Sequence, residues 1–295
     1  QPDADKPVAE LWFGAHPGDP STVDGRLLNE VIAEDPAGQL GSRVSAEYGE
    51  RLPFLLKVLA AEEPLSLQAH PSKAQAEEGF ARENAAGIEL TASNRNYKDD
   101  NHKPELIVAL TDFYAMAGFR PLARTRELFA ALECPELDHY VAMLDDDPSA
   151  TTESANLRVL FTTWITIPAA KRKELISAIV AAGERLIAAD PADWKSRVMS
   201  TVLDLNQRYP GDIGVLGALL LNHIELSPGE AVYLDAGQLH AYVSGLGVEI
   251  MANSDNVLRG GLTPKFVDVP ELVKVLTYAA ADEPRVQQQD KSAQD

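Results

Sequence analysis

This chain of 295 residues has one cysteine, few basic residues and no long hydrophobic run. Because Cys134 is alone, an intrachain disulfide is excluded, and a reducing compartment is favoured. Lysine and arginine number 26 against 45 aspartates and glutamates, and the net charge of −19 argues against nucleic acid and anionic membranes as partners. The apolar runs fall short of the ~20 residues of a membrane span, and QPDADKPVAE at the start lacks the features of a signal peptide. These absences predict a cytoplasmic protein.

Apolar residues follow two different periods along the chain. Residues 1–120 and 213–281 contain short apolar runs, such as FLLKVLAA and LIVAL, separated by turn residues, a pattern typical of antiparallel strands. Residues 121–212 instead repeat apolar side chains at helical spacing, which indicates four amphipathic helices; one of them carries Leu157, Leu160, Phe161 and Trp164. We therefore predict a β-rich protein with an α insertion, in which a barrel of two halves is interrupted by the helices. Residues 282–295 are polar and are expected to form a disordered tail.

Two helix starts can be predicted from capping residues. Ser72 has Gln75 three positions later, which is the pattern of a capping box, and Gly87 provides a stop. In the helical segment, Asp190 and Pro191 form a suitable N-cap and first-turn pair for the last helix, which should end before YPG at 209–211.

Four residues of metal-binding type occur in or beside the predicted strands. Gln68 and His70 are two positions apart and so share one face of a strand, whereas Glu105 and His240 begin or border other strands. If these strands line one barrel, two imidazoles, a carboxylate and an amide oxygen can converge on zinc or a similar divalent cation. The alternative is that each is a hydrogen-bonded core residue, but buried polar side chains are costly without a partner, and a cation is an effective one.

Basic side chains also gather near the β segments, although the chain is acidic overall: Lys57, Lys103, Arg259 and Lys265. A guanidinium together with ammonium groups commonly holds a phosphate. Gly260 and Gly261, which follow the arginine, are predicted to allow close approach of the backbone to a ligand. The alternative is that these are solvated charges at strand ends.

Three titratable residues could transfer protons. His102 and Lys103 lie next to the proposed ligand Glu105, and a lysine beside a cation and other positive groups should have a lowered pKa, which suits it to proton abstraction. Glu249 alternates with Val248 and Ile250, so it either points into the barrel or faces solvent while its neighbours fill the core.

Several long stretches resemble the type I mannose-6-phosphate isomerase (phosphomannose isomerase) family, zinc-dependent members of the cupin superfamily. They are AELWFGAHP, FLLKVLAAEEPLSLQAHPSK, YKDDNHKPELIVAL, YPGDIG and GEAVYLDAGQLHAYVSGLGVEIMANSDNVLRGGLTPKFVDV. GEAVYLDAGQLH also resembles the second cupin signature, with Asp235 where many cupins have proline. Members of the family usually carry a second cupin-like domain after this region.

The resemblance implies a cupin-type antiparallel jelly roll with one Zn²⁺ per chain, held by Gln68, His70, Glu105 and His240. It implies interconversion of mannose 6-phosphate and fructose 6-phosphate through a cis-enediol. The residues that it places in the pocket are Arg259, Lys103, His102 and Glu249 as catalytic groups, and Lys265, Lys57, Asp255, Tyr242 and Glu10 as substrate-binding groups. The expected partner is a small sugar phosphate, and a monomer is favoured over an oligomer.

Two other functions are compatible with a metal site in such a barrel. One is a different metal-dependent cupin enzyme, such as a dioxygenase, although these usually use three histidines and iron. The other is a cupin that binds a sugar phosphate without turnover. The presence of Lys103 and Arg259 beside a complete ligand set favours the isomerase.

Overall fold

The computed structural model describes residues 8–144 and 150–286. The part before the helical segment contains seven strands and four helices: β1 (Glu10–Gly14), β2 (Thr22–Val23), β3 (Arg26–Leu27), α1 (Leu28–Glu34), α2 (Pro36–Leu40), α3 (Ser42–Tyr48), β4 (Phe54–Ala61), β5 (Leu67–Ala69), α4 (Lys73–Ala85), β6 (Glu105–Ala109) and β7 (Phe113–Phe119). The part after it contains β8 (Leu221–Leu226), β9 (Ala231–Leu234), β10 (His240–Ala252), β11 (Leu258–Gly261) and α11 (Val269–Val275).

Strand β10 joins two antiparallel layers. Its first residues pair with β5 and β7, and its last eight pair with β4 and β6. The layers therefore run β11-β5-β10-β7-β8 and β1-β4-β10-β6-β9. The strand crosses from one layer to the other at Gly245, whose φ of +126° favours glycine. A Cβ at this position would lie only 2.7 Å from the carbonyl oxygen of Asp112.

Inward side chains from both layers fill one end of the space between them. This core includes Leu59, Ile107, Phe113, Ile224 and Val232, all at most 3% exposed. The predicted fold, an antiparallel barrel interrupted by helices, is confirmed.

The helices between β7 and β8 pack around a second core. They are α5 (Leu122–Leu132), α6 (Pro135–Val141), α7 (Ala150–Ile165), α8 (Ala169–Ala189), α9 (Trp194–Arg208) and α10 (Ile213–Ala218). The four apolar residues of α7 that indicated an amphipathic helix are all at most 3% exposed. The short helices α6 and α10 were not predicted. No helix within the described ranges is long and apolar enough to cross a membrane.

The predicted start of α9 is wrong. Asp190 ends α8, and its carboxylate accepts a hydrogen bond from the Ala192 N–H in a turn. The N-cap is Asp193, which accepts from the Lys195 N–H and satisfies a free donor of the first turn. Both aspartates could cap a helix, but α8 extends to Ala189, so Asp190 ends that helix and Asp193 begins the next one. Of the predicted tail, residues 287–295 lie outside the described residues, whereas Pro284 and Val286 hydrogen-bond to β9.

The predicted capping box at α4 is present. The Ser72 hydroxyl accepts from the Gln75 N–H, and the Gln75 side chain accepts from the Ser72 N–H. Replacing Ser72 with alanine should destabilise the protein by about 1 kcal/mol and lower Tm by about 2–4 °C, because the Gln75 N–H in the first turn loses its partner. The control is Ser177→Ala, at an exposed position inside α8. Thermal melts that show equal shifts for both variants would contradict the prediction.

Candidate metal centre

Three neighbouring strands bring the predicted ligands to one end of the barrel. In β10 and β5, His240 lies opposite Gln68, and in β5 and β11, Gln68 lies opposite Arg259. Residues directly opposite one another in paired strands point to the same face. His70 follows β5 two positions after Gln68, and Glu105 begins β6.

The side chains of His70, Glu105 and His240 converge on one point. The Glu105 carboxylate lies 3.2 Å from His70 Nε2 through Oε1 and 3.3 Å from His240 Nε2 through Oε2. One ligand atom from each residue can be chosen so that all lie within 4.8 Å of one another, and each residue is at most 2% exposed. This spacing is suited to a shared cation.

Hydrogen bonds orient both imidazoles towards that point. His70 Nδ1 lies 2.7 Å from the carbonyl oxygen of Asn256, and His240 Nδ1 lies 2.9 Å from that of Gln238. A carbonyl oxygen can only accept, so each Nδ1 carries a hydrogen and, in the neutral ring, each Nε2 presents a lone pair. Both Nε2 atoms and Glu105 Oε2 are buried without a hydrogen-bond partner. Orphaned buried atoms of this kind fit a divalent cation, and the donor set suits zinc.

Burial and charge favour the ligand forms of two of these side chains. Burial lowers the pKa of His70 to about 4, so this imidazole is neutral at pH 7. Burial alone would raise the pKa of Glu105, but the charge of Lys103 is the main cause that holds it well below its usual value. Gln68, half-buried beside His240, can supply an amide oxygen as a further ligand.

A cavity of about 400 Å³ opens beside the ligands. Its lining includes nine of the residues predicted from sequence: Gln68, Glu105, Lys57, Lys103, Arg259, Lys265, Glu10, Tyr242 and Glu249. All four basic side chains singled out above therefore face one space. Lys265 is exposed at its mouth, whereas Lys57 and Lys103 are buried.

Two predicted site residues lie elsewhere. His102 is exposed and lines a different cavity, of about 720 Å³, because it alternates with Lys103 in an extended segment. Asp255 is also outside the basic cavity, and its carboxylate lies 3.0 Å from His16 Nε2. His102 nevertheless lines its cavity together with Glu105, and the charge of Asp255 helps to raise the pKa of Lys103.

The glycines after Arg259 serve packing. A Cβ on Gly261 would lie 2.5 Å from the backbone nitrogen of Gly214 and 2.6 Å from Asp212 Oδ1. The absent side chain lets β11 approach the start of α10, which explains a glycine at position 261; the approach of the backbone to a ligand stays a prediction.

Glu249 points into the barrel. It is 2% exposed, whereas Ile250 is 40% exposed on the outer face. The hydroxyl of Tyr242 donates to Glu249 Oε1 at 2.7 Å. Burial, helped by the charge of Glu105, raises the pKa of Glu249 to about 8.

The protein groups around Lys103 shift its pKa upwards, opposite to the direction expected beside a cation. Burial by itself would lower the pKa of Lys103, but the carboxylates of Glu105 and Glu249 together outweigh burial and raise it. The Lys103 ammonium lies 3.1 Å from Glu105 Oε1. The protein groups alone therefore raise the pKa of Lys103, and the lowering expected beside a bound cation stays a prediction.

The shifted pKa of Glu249 predicts a pH-dependent stability. Between the ordinary value of 4.5 and about 8, the folded protein holds a proton that the unfolded chain has released. The stabilisation that protonated Glu249 contributes is fully present below pH 4.5 and is lost as the pH rises towards 8. With both proteins metal-free, the Tm of Glu249→Gln should therefore rise relative to that of the parent between pH 5 and pH 8. Thermal melts across that range test this, with the exposed Glu77→Gln as control. A constant Tm difference for Glu249→Gln would contradict it.

Sequence reasoning missed three hydroxyl groups in the cavity lining, those of Ser66, Tyr209 and Thr263. One of them had a usable signal: Ser66 is two positions before Gln68, so it shares a side of the chain leading into β5 with that candidate. Thr263 lies in a bend, where its hydroxyl accepts from the Lys265 N–H, so its spacing carries no such signal. Tyr209 follows α9 and reaches the barrel only through the tertiary packing of the helices.

A divalent-cation site of histidine and carboxylate ligands inside an antiparallel jelly roll defines a metal-binding cupin. A family described as "Phosphomannose isomerase type I, catalytic domain" matches residues 1–122. Mannose-6-phosphate isomerase of Escherichia coli K12 is 42% identical over 282 residues, which cover 93% of this chain and 68% of that protein. The human enzyme of the same name is 38% identical over 288 residues, covering 93% and 64%. The chain belongs to the type I mannose-6-phosphate isomerase family.

Solved structures agree with this assignment. The crystal structure of mannose 6-phosphate isomerase from Salmonella typhimurium, "bound to substrate (f6p)and metal atom (zn)", has a TM-score of 0.80 and 40% identity, and the match covers 94% of this chain and 68% of that one. The chain thus spans about two thirds of the length of these relatives. The resemblance seen in the sequence is confirmed.

Proposed function

We propose that this protein is a zinc-dependent aldose–ketose isomerase that interconverts mannose 6-phosphate and fructose 6-phosphate. The observation that carries the proposal is one cavity that combines a cation site with four basic side chains, in a chain of net charge −19. The named relatives are mannose-6-phosphate isomerases, and the Salmonella structure holds zinc and fructose 6-phosphate by its description.

The basic side chains can bind the phosphate and stabilise charge. Lys265, exposed at the cavity mouth, can meet the phosphate of an entering substrate. Arg259 is half-buried beside Gln68, where its guanidinium can stabilise the negative charge that develops on the sugar oxygens. Lys57 is held by Glu10 at 3.3 Å and lies 4.4 Å from the centre of the Trp12 ring, so its ammonium is fixed in position.

Isomerisation removes the proton on C2 and returns one to C1 through a cis-enediol. Zinc, held by His70, Glu105, His240 and Gln68, would supply Lewis-acid stabilisation of the sugar oxygens. Glu249 can carry the proton because its buried side chain lines the cavity together with Glu105 and Lys103, where the Tyr242 hydroxyl donates to it at 2.7 Å. Lys103 is the other candidate base, as proposed from the sequence; when protonated, its ammonium stabilises negative charge beside Glu105.

A coupled assay that follows fructose 6-phosphate formed from mannose 6-phosphate tests the function. We expect turnover by the zinc-loaded chain, loss of turnover after a chelator, and recovery when zinc is restored. Zinc loading without turnover would overturn the isomerase proposal for this chain, and sugar-phosphate binding under those conditions would indicate a non-catalytic binder. Oxygen uptake with iron would instead indicate a dioxygenase.

Two finer predictions are also proposals. A cytoplasmic location is supported by the single buried cysteine, Cys134, which suits a reducing compartment. We propose a monomer, which light scattering during size-exclusion chromatography would test.

A further inference from the structure

The two histidine ligands are oriented in different ways. His240 Nδ1 is held by the carbonyl of Gln238, two positions earlier in the same turn. His70 Nδ1 is held by the carbonyl of Asn256, which is 186 positions away in the sequence. The orientation of His70 therefore depends on a tertiary contact with the segment before β11.

The side chain of Asn256 fixes that segment. It is 0% exposed, and its Oδ1 accepts from the backbone N–H groups of Lys98, at 2.7 Å, and Asp99, at 3.2 Å. Its Nδ2 donates to the carbonyl oxygens of Asp99, at 2.9 Å, and Asn101, at 2.8 Å, and lies 3.1 Å from Asp99 Oδ1. The amide thus uses its acceptor and its donors on one segment, 98–101.

Segment 98–101 leads directly to Lys103 and Glu105, so Asn256 connects two parts of the site. Its side chain holds the segment that precedes Glu105, and its own carbonyl holds His70. Ser254 reinforces the same junction, because its hydroxyl donates to Asp99 Oδ1 at 2.8 Å and accepts from the Asn256 N–H at 3.2 Å.

We propose that Asn256 is a positioning residue of the metal centre: by fastening residues 98–101 to its own loop, it holds the carbonyl that fixes the ring orientation and tautomer of His70, and so sets the affinity for the metal. Neither alanine nor aspartate can replace it. Alanine removes the partner of two N–H donors and of the Asp99 carbonyl, and aspartate cannot donate and faces the carboxylate of Asp99. Outer partners of metal-bound histidines have effects of this kind on affinity.

Zinc titration in competition with a chromophoric chelator tests the proposal with Asn256→Ala and Asn256→Asp. We expect zinc affinity to fall about 10–100-fold in both. In the metal-free proteins, nitrogen-15 NMR should report the Nδ1–H tautomer of His70 in the parent and a mixture of tautomers in the variants. The matched control is Asn96→Ala, a buried asparagine whose amide donates to Asp268 at 2.8 Å and touches no ligand. It should lower Tm and leave both zinc affinity and tautomer unchanged.

Unchanged zinc affinity in both Asn256 variants would overturn the proposal, as would an equal loss of affinity in Asn96→Ala. If neither Asn256 variant folds, Ser254→Ala can be used, because it weakens the same junction more mildly. It should give the same tautomer change and a smaller loss of zinc affinity. A parent-like tautomer of His70 in Ser254→Ala would also overturn the proposal. The inference rests on the proposed metal site, but zinc affinity and the tautomer are measured without substrate. Failure of the isomerase proposal is therefore distinguishable from failure of this one.

Discussion

Glu105→Gln should lose both zinc and turnover. Glu105 is the one anionic ligand in the cluster, and its two oxygens are each within 3.3 Å of a histidine Nε2. The amide keeps the shape of the side chain but removes the charge and offers one oxygen in place of two. Metal binding contributes several kcal/mol of charge stabilisation, so we expect kcat/KM to fall about 10³-fold or more.

Metal analysis of the purified variant, together with the coupled assay, measures the effect. Glu77→Gln is the matched control, because Glu77 is exposed and pairs only with Lys73 among the described ion pairs, at 3.3 Å. It should keep full zinc content and activity. A Glu105→Gln protein with one zinc per chain and near-parental turnover would show that the carboxylate is not a required ligand.

Arg259→Lys should lower kcat about 10²–10³-fold, although it conserves the charge. The guanidinium is planar and can donate two parallel hydrogen bonds, whereas a lysine ammonium acts as a point charge on a flexible stem. Arg259 lies beside Gln68 and close to the cation site, so its donors meet the part of the sugar where charge develops. KM should change less than kcat.

Lys265→Ala provides the contrast within the same cavity. Because Lys265 is exposed at the mouth of the cavity, its replacement by alanine should raise KM for the sugar phosphate and change kcat little. Arg185→Lys, on the exposed face of α8, is the neutral control. Steady-state kinetics of the three variants test this division of roles. Equal losses of kcat in Arg259→Lys and Lys265→Ala, or no loss in Arg259→Lys, would contradict it.

The ligands could be predicted from sequence because polar residues at strand spacing are rare inside a core. Gln68 and His70 share a face by their two-residue offset, and the structure places both at the same end of the barrel. The same parity argument could not decide the orientation of Glu249. The outer face of its sheet is also apolar, as Phe54, Tyr233 and Ile250 show at 40–43% exposure, so the pattern of hydrophobic residues does not identify the inside.

The charge effect on Lys103 could be predicted only in part: Glu105 is two positions away, but Glu249 belongs to a strand that is far away in sequence. The pKa of Lys103 rises because Glu105 lies 3.1 Å away and Glu249 is brought close by the pairing of β6 with β10. Likewise, the partner of His70 Nδ1 is a backbone carbonyl, which carries no residue-type signal.

The central place of β10 also determines when the barrel can form during synthesis. Among the described strands that precede α5, only β1 with β4 and β2 with β3 pair with each other. Strands β5, β6 and β7 have their partners among β8 to β11. The ribosome must therefore release more than a hundred further residues before β6 gains a neighbour. Such non-local pairing folds slowly and leaves strand edges open in the meantime. The nascent chain thus carries Glu105 and His70 in an unfinished barrel until His240 emerges.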